Sequence, residues 1–220
     1  MRVVPRWVLA SAGAAPVFLI GGWTLGAARQ PGGFDGVSGT ISALATVDAT
    51  DRWIMTLGLV GLGLCHCVTA AGLRTLGAGG RALLALGGVA TVAVAAFPLP
   101  AGGGSAAPHT VAAAVAFGAL ALWPAFAPPA ATRGPTTPGP RPAGSEAGRH
   151  PSTRTTPEGY ADSRLRWVAL SVGLLVLVAW FVVELAGGGD RVGLAERVAA
   201  AAEALCPLLV AGALTTRSRR

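Results

Sequence analysis

The stretch that decides the fold is Arg29–Arg52, RQPGGFDGVSGTISALATVDATDR. It separates the first two long apolar runs and carries three acids, Asp35, Asp48 and Asp51. It also carries five hydroxyls (Ser38, Thr40, Ser42, Thr46, Thr50) and a short apolar pattern, Ile41, Leu44 and Ala45. A membrane hairpin needs only a few residues to turn, so a polar segment of this length between two spans reads as a cap. Ser38-Gly-Thr-Ile-Ser-Ala-Leu suits a helix start with Ser38 as N-cap, because a serine hydroxyl can accept from a free N–H of the first turn. The reading expects a short interfacial helix here, with Ile41 and Leu44 laid on the bundle and Asp35 near the mouth.

Composition supports the apolar frame on either side. Of 220 residues, 52% are hydrophobic and 12% charged, and the mean hydropathy is +0.59. Soluble domains carry about 25% charged residues, so this is the composition of a bilayer-embedded chain. The formal charge of +7 comes from 17 basic residues, all arginine. Those arginines lie between apolar runs and form no basic and aromatic face, which argues against nucleic acid as a partner. An all-arginine chain rich in Ala, Gly and Pro suggests a GC-rich bacterial genome.

Taken in order, the first span is Trp7 to Ala28. It is too long for the apolar region of a signal peptide and long enough to cross a bilayer. Pro16 and Gly21–Gly22 lie inside it. Trp53 to Leu73, Ala82 to Pro100 and Val111 to Phe126 follow, the last extendable back to Ala107. Ala127 to Arg166 is rich in Pro, Thr, Ser, Gly and Arg and is expected to be a disordered linker. Trp167 to Ala186 and Leu194 to Leu214 complete six spans before a basic tail. Lipid leaves helices to satisfy their own backbone. The expected architecture is therefore an all-α integral membrane bundle of six transmembrane helices: residues 1–126 with four, the linker 127–166, and 167–220 with two and the tail.

Arginine placement sets the expected orientation. With the N-terminus inside, 13 arginines fall on the inner side, and only Arg29, Arg52, Arg191 and Arg197 fall outside. Both termini are expected in the cytoplasm of a cell (plasma) membrane protein, with Arg29–Arg52 on the outer face. Trp7, Trp53, Trp123 and Trp167 sit at span ends, as interfacial tryptophans do.

Three of these segments together, FDGVSGTISALA (34–45), TDRWIMTLGLVGLGLCHCVTAAGLR (50–74) and FPLPAGGGSAAPHTVAAAVAFGALALWP (97–124), resemble a bacterial membrane-protein family catalogued as domain of unknown function 998. The most specific parts are the TIS-L segment after an aromatic–Asp pair, the Phe-Pro closing the third span and the His opening the fourth. Gly36 stands where the pattern has proline after the Asp. The resemblance implies a polytopic membrane protein and supplies no reaction.

On the expected outer face lie Asp35, Ser38, Ser42, Asp48 and Asp51, then Ser105 and His109, then Asp190 and Glu196, with Glu184 one turn below. Asp35, Ser42 and His109 are the candidates for a site at the mouth, since an acid, a hydroxyl and an imidazole can bind a cation, move a proton or activate water. The bland reading is that the loop acids are solvated and the serines cap a turn. Within the membrane the ionisable residues are His66, Glu184 and Glu203, each usually turned inward to a partner. At 1.5 Å per residue His66 lies about 20 Å below the outer end of its helix and Glu203 about 8–14 Å, so they meet only with tilt. Cys65-His66-Cys67 is a poor metal site, because consecutive helical side chains diverge by about 100°. The cysteines read as packing residues.

No P-loop, dinucleotide fingerprint, HExxH or Gly-x-Ser-x-Gly elbow is present, so no cofactor and no metal are expected. The partners are the bilayer and a small-molecule or lipid ligand. Two functions compete: movement of a small solute, ion or proton (or an accessory subunit), and a membrane-embedded hydrolase or transferase with an outward Asp/Ser/His mouth.

Overall fold

Six helices follow one another in the computed structural model, which describes residues 4–102, 104–128 and 157–217. They are α1 (Arg6–Ala28), α2 (Trp53–Gly72), α3 (Ala78–Ala96), α4 (Ala107–Leu122), α5 (Pro157–Gly187) and α6 (Val192–Arg217). Each contains a stretch long and apolar enough to cross a membrane, and no strand occurs among the described residues. Large apolar side chains such as Val17, Val183 and Leu209 face outward at 70%, 69% and 68% exposure. A water-soluble bundle would not leave apolar surface of that extent uncovered. The chain is a multi-pass membrane protein.

Neighbours in sequence are neighbours in space: α1 packs on α2, α2 on α3, α3 on α4, α4 on α5 and α5 on α6, and α6 returns to α1. The inward faces follow from spacing. In α1 the buried residues include Val8, Ala12, Ala15, Leu19, Gly22 and Gly26, and in α2 Met55, Leu59, Leu62, His66 and Thr69. Both sets alternate steps of three and four, which puts one stripe on one side of a helix. Small residues let the backbones meet. A Cβ added at Gly88 would lie 2.6 Å from the Gly63 carbonyl oxygen, and one at Gly63 would strike the Gly88 carbonyl. Any larger residue at this crossing forces α2 and α3 apart.

Helix ends differ from the sequence expectation where local chemistry acts. Helix α3 starts at Ala78, and Arg81 in its first turn reaches across to donate from Nε to the Ala70 carbonyl at 2.9 Å. It stops at Ala96 because Pro98 disfavours the helical conformation for Phe97, which takes φ −113°, ψ 74°. Pro108 sits in the first turn of α4, where its missing N–H costs nothing. Trp123 stands at the end of its span but is packed inside the bundle. It opens a 3₁₀ turn, Trp123–Phe126, is wholly buried, and meets Trp167 edge-on at 6.5 Å. Helix α5 begins at Pro157, inside the stretch read as linker. Proline is favoured at a helix start, and no further proline interrupts the chain before Trp167. The rest of the expected linker, 129–156, lies outside the described residues.

The expected helix in the cap is a single 3₁₀ turn, Ser42–Ala45. Ser38 does not cap it. The Ser38 hydroxyl donates to Asp35 Oδ2 at 2.7 Å, and Thr40 Oγ1 accepts from the Ala43 N–H at 3.1 Å in its place. Ile41 and Leu44 are 3% and 1% exposed and pack with Leu19, Met55 and Leu59, so the apolar half of the cap is part of the core.

Candidate functional site

The cap is fastened to α6 by backbone and by one arginine. Leu194 N–H, in the first turn of α6 and without an intrahelical acceptor, donates to the Val37 carbonyl at 2.9 Å. Arg197 Nη1 donates to the carbonyls of Gly36 at 2.8 Å, Gly39 at 2.6 Å and Gly193 at 3.0 Å. Its guanidinium also stands 5.9 Å from the Trp23 ring centre and 5.7 Å from that of Phe34. A Cβ at Gly193 would run into the Gly39 carbonyl, so this contact requires glycine.

That docking brings four groups into a line. His109 Nδ1 lies 2.9 Å from the Phe97 carbonyl oxygen, and His109 Nε2 lies 3.3 Å from Ser42 Oγ. Ser42 Oγ is 3.3 Å from Glu196 Oε1, while Glu196 Oε2 accepts from the Ile41 N–H. Glu196 and His109 are 4% and 7% exposed. The Phe-Pro end of α3 thus supplies the carbonyl, the start of α4 the imidazole, the cap the hydroxyl and α6 the acid.

Of the three residues expected at the mouth, Ser42 and His109 meet and Asp35 does not join them. Asp35 is exposed, accepting from Val37 N–H at 2.9 Å as well as from Ser38. Those two bonds, the Ser38 hydroxyl first, hold its carboxyl below the ordinary value. The other loop acids fasten the cap. Asp48 accepts from Gly102 N–H at 2.9 Å, which joins the first loop to the second and lowers its pKa. Asp51 takes Arg29 Nε at 2.7 Å, the first cause of its own lowered pKa, and Trp53 Nε1 at 3.3 Å. Ser105 pairs with Thr110 at 3.4 Å. Glu184 closes the α5–α6 turn, accepting from Trp180 Nε1 at 3.2 Å and from Arg191 N–H at 3.3 Å.

Ser42 and Glu196 line one part of a chamber of about 60 Å³. His66, Thr91 and Glu203 line it, with apolar walls from Leu62, Phe117 and their neighbours. Such a space has room for a few water molecules. His66 is wholly buried and Glu203 is 2% exposed. Neither ring nitrogen of His66, nor Oε1 of Glu203, has a hydrogen-bond partner among the described residues. Glu196, Ala200 and Glu203 face the chamber together because steps of four and three keep one side of a helix. His66 and Glu203 reach the same space although the sequence placed them at different depths. Since α6 starts at Val192, Glu203 lies about 16 Å in from its helix start, close to the 20 Å of His66.

The Cys65–Cys67 triplet diverges as helical geometry requires. His66 points into the chamber, and Cys67 Sγ donates to the Ala85 carbonyl on α3 at 3.6 Å. No group of three or more His, Cys, Asp or Glu among the described residues is arranged to hold a metal ion.

Sequence reasoning grouped Glu196 with the outer loop acids and left it out of the site. A readable signal existed in the Glu196–Ala200–Glu203 spacing, but not the approach of residue 196 to residue 42 across the chain.

A family described as "Protein of unknown function (DUF998)" matches residues 12–145, more than half of the chain, and the protein belongs to that family. The match takes in most of α1, the cap and α2 to α4, whereas α5 and α6 lie beyond it. No curated protein and no solved structure matches.

Proposed function

We propose that this DUF998 protein moves protons or small cations by way of this chamber, in a cell membrane, with both termini cytoplasmic and the Arg29–Arg52 cap facing outward. One observation carries the reading: three ionisable side chains, His66, Glu196 and Glu203, line one small buried space, and two of them have polar atoms without a partner among the described residues. Each ionisable group at depth costs on the order of 2.5–3.5 kcal/mol even on lenient insertion scales. Packing alone would favour leucine at these positions. Two carboxyls and one imidazole give the chamber groups that can take up and release a proton. Arg197, the nearest fixed positive charge, is spent on the cap carbonyls. The orientation is supported by Arg6, Arg74, Arg81, Arg164 and Arg166, which stand at or near the ends of the apolar spans remote from the cap.

The test is flux into liposomes that contain the purified full-length protein, with H⁺, Na⁺ and K⁺ gradients imposed in turn. Transport of at least one above protein-free liposomes is expected, and none for all three would sink the reading. A second reading, an outward-facing hydrolase or transferase, has one observation in its favour: Ser42 Oγ stands 3.3 Å from His109 Nε2. Against it, the acid touches the serine and not the imidazole, whereas an activating triad needs the acid to orient the base. Covalent labelling of Ser42 by a fluorophosphonate would favour this second reading.

A further inference from the structure

The line Phe97–His109–Ser42–Glu196 can be counted hydrogen by hydrogen. A carbonyl oxygen only accepts, so the 2.9 Å contact with Phe97 requires a hydrogen on His109 Nδ1. At the other end, Glu196 Oε2 accepts from the Ile41 N–H, so any proton on this carboxyl belongs on Oε1, the oxygen that faces Ser42. Between them, Ser42 Oγ makes two contacts of equal length, 3.3 Å to Nε2 and 3.3 Å to Oε1. Two contacts need two hydrogens, and the hydroxyl owns one. With a neutral imidazole and a carboxylate, one contact would set lone pair against lone pair in a buried place.

We infer that His109, Ser42 and Glu196 form a proton-binding site that holds one proton more than a neutral imidazole and a carboxylate would, and relays it through the Ser42 hydroxyl. In one form Oε1–H donates to Oγ and Oγ–H donates to Nε2. In the other, Nε2–H donates to Oγ and Oγ–H donates to Oε1. Conversion breaks Oε1–H, forms a new Oγ–H, breaks the old Oγ–H and forms Nε2–H. One proton moves from acid to imidazole, no electrons change hands, and the serine is regenerated.

The surroundings keep the proton in this set. Arg197, on the same helix, faces the carbonyls of Gly36, Gly39 and Gly193. Glu203 lines the chamber from the same side of α6 and His66 lines it from α2, while Asp35 is exposed at the surface. The chamber walls from α1, α3 and α4 bring no ionisable residue, and His109 of α4 belongs to the relay itself. Glu196 lines the chamber and His109 sits at the mouth beside Phe97, so the relay joins the two. It extends the transport reading by naming the proton as a bound species, and the two fail separately.

The experiment uses the full-length protein in detergent micelles. Nitrogen-15 NMR of labelled histidine follows His109, and infrared difference spectra follow the carboxyl that disappears in Glu196→Gln. The relay predicts a hydrogen on Nδ1 and one shared titration step at His109 and at the Glu196 carboxyl. Ser42→Ala should split that step into two, separated by about one pH unit or more. Ser42→Thr, which keeps a hydroxyl, should restore it, and unchanged thermal midpoints would show that the variants fold. A His109 titration identical in the wild type, Ser42→Ala and Glu196→Gln would overturn the relay, as would an unprotonated Nδ1. Shared titration with no ion flux would leave the relay and remove the transport function. Flux with independent titrations would do the reverse.

Discussion

Glu203 has no evident structural use. Its side chain is buried, Oε1 meets no donor among the described residues, and it shares the chamber with His66, Thr91, Glu196 and apolar walls. Leaving a buried polar group without a partner costs about 1–3 kcal/mol, a cost that an apolar residue of similar volume does not carry. Glu203→Leu is therefore expected to raise the thermal midpoint in detergent, and a clear fall would mean that the carboxyl has a structural partner. Arg197 is the opposite case. Three carbonyls converge on one nitrogen, and hydrogen bonds to charged groups contribute about 1.5–3 kcal/mol each before competition among them. Arg197→Ala should lower stability by about 2–4 kcal/mol and expose 29–52 to protease; an unchanged digestion pattern would show that the cap holds without it. Asp35 gives the cap a pH dependence of known sign. With its pKa lowered from 3.8 by the Ser38 hydroxyl and then the Val37 N–H, its turn is fully supported above that value. Support is lost as pH falls through the depressed pKa. Protease sensitivity of the cap should be flat from neutral pH to about pH 4 and rise only below it; a rise near pH 6 would point to a different group.

At the scale of elements, the crossing of α2 and α3 is the most constrained feature. Gly63 and Gly88 each lie against the other's carbonyl. Gly63→Val is expected to cost about 1–3 kcal/mol through forced separation of the helices, read as a lower thermal midpoint in detergent. Gly118 on α4 has open space where a Cβ would go, so Gly118→Ala is the matched control and should be neutral or mildly stabilising. The helices themselves were legible because hydropathy over some twenty residues is a local property of the chain. What was hidden depended on contacts between distant residues. The start of α3 moved to Ala78 with Arg81 bonded to the end of α2, and Trp123 proved to be core because α5 packs beside it. The cap helix shrank to one 3₁₀ turn because Asp35 recruited the Ser38 hydroxyl that was to begin it.

The same reason explains the site. Ser42 and His109 were recognisable from residue type and from their place at the mouth of a span. The acid was misassigned to Asp35 because it is close in sequence, whereas Glu196 is brought to Ser42 only when α6 closes the ring against α1 and receives the cap. A single sequence carries no record of that pairing. His66 and Glu203 were singled out as costly in a bilayer, and both line one chamber.

As a whole molecule, the protein is a ring of membrane helices with a small, largely apolar chamber among α1, α2, α3, α4 and α6, covered at one end by a cap that belongs partly to the core. The orientation has a simple check: a reporter fused after Arg220 should be active in its cytoplasmic form only, and activity only on the far side would invert the arrangement. The central claim is that the chamber's ionisable groups are the working part of the molecule. Its most direct measurement is ion flux in liposomes for the wild type beside Glu203→Gln, with both proteins shown to be folded. Flux is expected to fall about tenfold or more in the variant, corresponding to at least about 1.4 kcal/mol. Equal flux through the two proteins would contradict the account.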